Sequence, residues 1–178
     1  MPRLQPIDPA EAEGKTKELF GQAEQKMGAV PNVIRTMGNS PAVLQGYLQL
    51  SGALAEGELP GPVREQIALL VSQKNGCDYC LSAHTAIGKQ MGLSDEEATD
   101  ARRGKADDAK TQGALDFAAA VFEKRGWVED EDLRAVRGAG WGDGAIAEIV
   151  ANVVVNFYTN YFNHVADTEV DFPQAPKI

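Results

Sequence analysis

The chain is acidic and of single-domain length, with 178 residues, a net charge of −9 at pH 7 and a pI near 4.7. Hydrophobic residues make up 43% of it, which is enough for one buried core, so we expect one domain over residues 1–178. A phosphate-binding surface needs clustered lysine and arginine, whereas the densest basic run here is flanked by aspartates. Nucleic acid is therefore excluded as an expected partner.

No apolar stretch of signal-peptide length occurs near the N-terminus. The most apolar run, Ile146 to Phe157, contains Glu148, Asn152 and Asn156, which makes it a poor membrane span. We therefore expect no membrane partner and a cytoplasmic location. Thiols are kept reduced in the cytoplasm, where a cysteine pair is more often catalytic or metal-binding than structural.

Helical spacing and helix-capping residues recur along the chain, whereas alternating strand patterns do not. The fold class predicted is therefore all-α. In chain order, helices are predicted after Asp8-Pro9 as far as Met27, after Ser40-Pro41, from Pro62 to Lys74, from Cys77 to near Gly92, after the Ser94–Glu97 capping box, from Asp108 to Arg125, from Asp130 to Arg137 and from Asp143 to Ala166. A short turn is expected after Pro31, and after Phe172 a tail that is either loose or packed along a neighbour.

A faint internal repeat is present. Residues 59–65 and 141–148 each place a glycine-containing break before a helix with one early glutamate. Counted from those glutamates, Asn160 and Asn163 stand where the first copy has its cysteines. A duplication with a degenerate second copy and a chance match both explain this pattern.

The only two cysteines form a Cys77-x-x-Cys80 motif, which His84 follows four residues later. On a helix turning about 100° per residue, the three side chains fall within about a 60° arc. The Asn75-Gly76 break puts Cys77 at a helix start, where unpaired backbone N–H groups favour a thiolate. His84 could instead take the proton of Cys80, its i−4 neighbour. If one sulfur is oxidised to a sulfenic acid, the other can condense with it into a reversible disulfide.

Glu65 lies on the preceding predicted helix, and its face carries Ala68, Leu69 and Ser72. A carboxylate in that setting must find a proton donor or become protonated. A histidine or cysteine from the next helix would satisfy it.

The pattern of Glu65, an eleven-residue gap, Cys77-x-x-Cys80 and His84 resembles the signature of the alkylhydroperoxidase D-like, or carboxymuconolactone decarboxylase-like, superfamily. The segment 72–84 is similar to the peroxidase-related branch of that superfamily. The resemblance is strong over residues 59–91 and weaker over 30–32 and 156–164.

The resemblance implies an all-α alkylhydroperoxidase D-like domain that assembles into trimers or hexamers. It also implies a peroxidase, an oxidoreductase in which Cys80 attacks peroxide, Cys77 resolves the product, and Glu65 and His84 relay protons. An external dithiol, of protein or lipoyl type, would restore the thiols, and no bound cofactor or metal would be needed. Some members carry a histidine where this chain has Tyr79, whose phenol, with a pKa of about 10, is a poorer proton carrier.

Other interpretations of the same residues are open. Glu65 and His84 could act as acid and base in a cofactor-free lyase or isomerase. The cysteines could serve a redox-sensing, non-enzymatic oligomer, a zinc site completed by Glu65 and His84, or the core alone. Because the decarboxylase members lack the cysteine pair, its presence argues against that activity.

Three further ring-bearing side chains are interpreted as structural. His164 is assigned to the core or a subunit contact, and Trp127 and Trp141 are assigned to packing.

Overall fold

Nine helices and no strands form the chain, which a computed structural model describes over residues 1–178. The all-α prediction is confirmed. The helices are α1 (Gly14–Met27), α2 (Asn32–Met37), α3 (Pro41–Ala55), α4 (Gly61–Asn75), α5 (Asp78–Gln90), α6 (Asp95–Arg102), α7 (Ala109–Glu123), α8 (Asp130–Gly138) and α9 (Asp143–Ala166).

Helix α4 lies at the centre and packs against α5, α6, α7 and α9. The largest hydrophobic cluster joins α4, α7, α8 and α9, and Ile67, Leu115 and Ile149 within it are fully buried. Burying a side chain of this size contributes about 1.5–3 kcal/mol. The central position of α4 explains why Glu65, one of its residues, is drawn into the interior.

A second cluster joins α1, α2 and α3 through residues such as Leu19, Phe20 and Leu44. Met27, predicted on the same face of α1, is instead 47% exposed. The helix also begins at Gly14 rather than just after Pro9, because residues 9–11 form a turn.

The turn between α4 and α5 ends one helix and begins the next within two residues. Gly76 adopts a left-handed conformation (φ 67°, ψ 35°). Its N–H donates to the Gln73 carbonyl (3.2 Å), and the Cys77 N–H donates to the Ser72 carbonyl (3.0 Å). These two bonds form a Schellman motif, which satisfies the last carbonyls of α4. Cys77 then serves as the N-cap of α5.

Most predicted helix boundaries agree with the structure to within a few residues. The Ser94–Glu97 capping box is formed, with reciprocal bonds of 3.1 and 2.8 Å. Helix α9 has the predicted bounds, Asp143 to Ala166. Helix α2, after Pro31, is longer than the short turn predicted there.

Helix α9 buries several polar residues along the side that faces α4 and α5. Near its start, the Glu148 carboxylate accepts hydrogen bonds from the N–H groups of Glu58 (2.8 Å) and Leu59 (3.0 Å). Farther along, Asn152, Asn156, Asn160 and Asn163 are all buried. Helix α9 has no break matching Asn75-Gly76, and the internal repeat stays a prediction. None of the nine helices combines the length and the apolar character that crossing a bilayer requires.

Candidate active site

Cys77 and Cys80 are joined by a disulfide at the N-terminus of α5, with Cα atoms 5.3 Å apart. Cys77 is the N-cap of α5 and has an extended backbone (φ −90°, ψ 94°). Only Cys80 and His84 therefore lie on the helix itself, and the predicted arc of three helical side chains is not formed. The Cys77 sulfur accepts a hydrogen bond from the Cys80 N–H (3.3 Å). The two cysteines are only 1% and 2% exposed.

Glu65 and His84 form a direct pair, as the sequence predicts for a buried carboxylate. The His84 Nδ1 and Glu65 Oε2 atoms lie 2.8 Å apart, and the two side chains are 21% and 12% exposed. Gly88, one turn after His84, packs closely against Leu93, since a Cβ there would lie 2.9 Å from Leu93 Cδ1, whereas Glu65 Cβ would be at an ordinary contact distance of 3.6 Å. When Nδ1 donates to the carboxylate, Nε2 is left as a proton acceptor.

The disulfide and His84 lie close together on α5. No hydrogen bond joins the disulfide to the Glu65–His84 pair. The structure therefore brings the four predicted residues together as two pairs. Of the four, His84 has the most exposed side chain, so solvent reaches the site from its side. No group of three or more His, Cys, Asp or Glu side chains is arranged to hold a metal ion.

Asn163 of α9 contacts the disulfide directly. Its Nδ2 donates to the Cys80 sulfur at 3.3 Å, and the residue is 5% exposed. Its Oδ1 is buried and has no hydrogen-bond partner. Sequence reasoning did not assign Asn163 to the site. The signal that could have found it is the series of asparagines on one side of an otherwise apolar helix.

Tyr79 points away from the Glu65–His84 pair and anchors the C-terminal tail, defined as residues 167–178. Its hydroxyl donates to Asp171 Oδ1 (2.8 Å) and accepts from the Val33 N–H (3.2 Å). Burial raises the pKa of Tyr79 far above its usual value, and the Asp171 carboxylate raises it further. Because both hydrogen bonds of its hydroxyl go to Val33 and Asp171, the place of Tyr79 in the motif is structural.

The C-terminal tail covers the other side of the cysteine pair. Val170 and Phe172 pack against the small cluster formed by Cys77, Tyr79, Cys80 and Ala83. Farther along, the Ala175 N–H donates to Ser82 Oγ (3.2 Å), and Arg102 donates to the Pro176 carbonyl (2.6 Å). Of the two alternatives for this tail, the packed one is correct.

Tyr47 of α3 borders the site on the open side. Burial raises the pKa of its hydroxyl, and the nearby Glu65 carboxylate also raises it. Its ring lies 6.5 Å from that of Tyr158 on α9.

The three side chains interpreted as structural differ in their surroundings. His164 is exposed and lies outside the core, so of its two predicted places only the subunit contact is left, and it stays a prediction. Trp127 is 86% exposed, whereas Trp141 is buried and donates to the Lys110 carbonyl (2.8 Å).

An all-helical chain with a CxxC disulfide at a helix N-terminus and a Glu–His pair beside it has the features of the alkylhydroperoxidase core class. The model of the carboxymuconolactone decarboxylase family matches residues 41–124. This match, together with the relatives and structures described next, supports a member of the alkylhydroperoxidase D / carboxymuconolactone decarboxylase-like superfamily.

Two relatives carry peroxide-related names. An alkyl hydroperoxide reductase of Mycobacterium tuberculosis is 26% identical over 96 residues, which cover 53% of this chain but only 28% of that protein. A peroxidase-related protein with an alkylhydroperoxidase core from Ralstonia eutropha is 25% identical, with a TM-score of 0.86 over 96% of this chain and 92% of that one.

A third similar structure carries a different activity in its name. The debrominase Bmp8, solved with 2,3,4-tribromopyrrole, is 22% identical, with a TM-score of 0.81 over 95% of this chain and 91% of that one. At this identity the likeness concerns the fold alone.

We predict that Tyr79→Phe destabilises the fold by about 1–3 kcal/mol in urea unfolding, since it leaves the Val33 N–H without its partner. Because the folded state raises the pKa of Tyr79, this contribution is present below about pH 10 and is lost as the pH rises further. Tyr161→Phe removes an exposed hydroxyl without a partner and should cost less than about 0.5 kcal/mol. Equal losses for the two variants would contradict the anchoring role.

Proposed function

We propose that this protein is a thiol-dependent peroxidase in which Cys77 and Cys80 cycle between dithiol and disulfide. The observation that carries the proposal is the pairing of the only two cysteines beside the Glu65–His84 pair. A redox-active disulfide needs a stabilised thiolate and a nearby base, and these residues supply both. The peroxide-related names of two relatives support peroxide as the acceptor.

In the oxidative step, His84 takes the proton of Cys80 while the Glu65 carboxylate stabilises the imidazolium. The Cys80 thiolate attacks the outer oxygen of a hydroperoxide, so that an S–O bond forms and the O–O bond breaks. The sulfur loses two electrons and becomes a sulfenic acid. The leaving alkoxide takes the proton from His84 and departs as an alcohol.

In the resolving step, the Cys77 thiol attacks the sulfur of the Cys80 sulfenic acid. The S–S bond forms, the S–O bond breaks, and the hydroxide leaves as water with the proton of Cys77. An external dithiol, of protein or lipoyl type, then reduces the disulfide through a mixed disulfide. This cycle needs no bound cofactor, and a reducing compartment, the cytoplasm, suits it.

Reductive debromination is a second candidate, because two thiols can also supply two electrons to a carbon–bromine bond. One dithiol and one bromoarene would give one disulfide, the arene and hydrogen bromide. The ring of Tyr47, which lies close to Glu65 and next to Tyr158, favours an aromatic acceptor of this kind. The two candidate activities can be distinguished by assaying the same reduced protein with a hydroperoxide and with a brominated pyrrole.

We predict that Cys80→Ser reduces peroxide consumption to the uncatalysed background in stopped-flow assays of reduced protein. Cys77→Ser should consume one equivalent and stop as a sulfenic acid that dimedone traps, because no second thiol is left to resolve it. Consumption by Cys80→Ser at the parental rate would contradict the proposal. Turnover of the brominated pyrrole alone would assign the second activity, and disulfide formation without turnover would assign a redox sensor.

We predict that Glu65→Gln and His84→Gln each lower the rate of peroxide reduction by about 10²-fold or more, because the proton relay is lost. The matched control is His164→Gln, which changes the other histidine of the chain at an exposed position and should retain the parental rate. A lyase or isomerase would lose activity in the same two variants but keep it when both cysteines are replaced by serine.

We also propose that the protein self-associates, as a trimer or hexamer, through an apolar surface on α9. This surface consists of Val150, Val154, Tyr158, Tyr161 and Val165, which are 38–64% exposed and share one side of the helix. The contact of Tyr158 with Tyr47 continues it onto α3, where Val43 and Leu50 are also exposed. Contiguous exposed apolar residues mark association sites.

We predict that Val154→Glu shifts the mass measured by light scattering towards that of the 19.1 kDa chain, since it places a charge in the proposed interface. Trp127→Glu removes an exposed apolar side chain from the α7–α8 connection and should leave the assembly intact. A parent protein that is monomeric at micromolar concentration would contradict the proposal.

A further inference from the structure

Asn163 is the one side chain outside the four predicted site residues that donates a hydrogen bond to a reacting sulfur. A disulfide sulfur carries no proton, so in this contact the amide must be the donor. When the disulfide is reduced, the same N–H faces a sulfur that gains a negative charge. Hydrogen bonds to charged acceptors are about twice as strong as neutral ones, so the contact strengthens in the thiolate.

Contacts before and after Asn163 along α9 fix its position. One turn earlier, Asn160 Oδ1 accepts from Asn75 Nδ2 (2.8 Å), and Asn160 Nδ2 donates to Ser72 Oγ (3.4 Å), which ties α9 to the α4–α5 turn. On the other side, the Asn163 carbonyl accepts from the Thr168 N–H (3.3 Å) in the capped last turn. The amide is therefore held against Cys80 before any reaction begins.

The oxygen of the same amide has no hydrogen-bond partner. Asn163 Oδ1 is buried without a hydrogen-bond partner, although buried polar atoms are nearly always paired. A hydroperoxide approaching Cys80, and the sulfenic acid it leaves there, both bring an O–H donor to this position.

We propose that Asn163 is a further catalytic residue: its Nδ2 stabilises the Cys80 thiolate, and its Oδ1 accepts the hydrogen bond of the hydroperoxide hydroxyl. This inference rests on the proposed function for its second half only. The amide exchanges no electrons or protons. It contacts the sulfur that is oxidised and the hydroxyl that is transferred to it, and so favours acceptors that carry an O–H group.

The first measurement is the pKa of Cys80, read from the ultraviolet absorbance of the thiolate in a Cys77→Ser background where it is the only thiol. Asn163→Ala should raise that pKa by about one unit because the donor is lost. Asn163→Asp, nearly identical in shape, should raise it further because a carboxylate stands where the amide was. The titratable groups around Cys80 are Tyr79, His84, Glu65 and Asp171, and these variants leave all four in place.

The second measurement separates the two halves of the amide through the KM for a hydroperoxide. Alanine removes both donor and acceptor and should raise KM and lower the rate, each about tenfold, a change of about 1.4 kcal/mol in transition-state stabilisation per factor of ten. Aspartate keeps an oxygen at the Oδ1 position, so its KM should stay nearer that of the parent. Equal KM values for the two variants would overturn the acceptor role.

The control is Asn156→Ala, which removes a buried amide on the same side of α9 whose Nδ2 bonds only the Asn152 carbonyl (2.8 Å). Its thiol pKa should match the parent. A Cys80 pKa unchanged in Asn163→Asp, whether or not the alanine variant folds, would overturn the donor role. A parent that consumes no hydroperoxide would overturn the proposed function and the acceptor role together, while the thiol pKa would still decide the donor role.

Discussion

The turn at Asn75, Gly76 and Cys77 is the constraint on which the site depends. Because Gly76 adopts a left-handed conformation, the chain reverses within two residues, and Cys77 both closes the last turn of α4 and caps α5. An N-cap is normally a serine, threonine, aspartate or asparagine oxygen, and here a sulfur takes that place. The CxxC spacing then sets Cys80 in the first turn of α5, where its own N–H bonds the Cys77 sulfur.

The central burial of α4 completes the arrangement. A glutamate near the start of a buried helix needs a hydrogen-bonding partner, and His84 of α5 supplies one at 2.8 Å. The two cysteines consequently have different stabilising groups. Backbone N–H groups serve Cys77, whereas Cys80 has the amide of Asn163 and the imidazole one turn along. Local helix chemistry alone favours Cys77 as the nucleophile, whereas the proposed mechanism uses Cys80, which also has the contact of Asn163 from α9.

The sequence predicts what is local and leaves out what depends on helix packing. Capping residues and helix breaks correctly predicted the bounds of α9 and the hydrogen bonds of the Ser94–Glu97 capping box, because each of these features depends on only a few neighbouring residues. The burial of Glu65 predicted a histidine or cysteine partner on the next helix, and the family resemblance implied that the partner is His84. Asn163 lies 83 residues from Cys80, and its contact depends on how α9 crosses α5, which no periodicity encodes. The packed tail has no periodicity at all, and its bond to Tyr79 spans 92 residues.

The packing of the tail bears on how the cycle is completed. Val170 and Phe172 cover the disulfide on one side and α9 covers it on another, so the sulfurs are 1–2% exposed while His84 remains partly open. In the proposed cycle a hydroperoxide would approach past His84, the most exposed of the four site residues, and would reach Cys80 next to the amide of Asn163. A reductant must reach a sulfur along the line of the S–S bond, which demands more room. The reductant therefore needs more space at the sulfurs than the hydroperoxide does. In the proposed cycle that space would open on the side of the tail, which the Tyr79–Asp171 hydrogen bond holds closed.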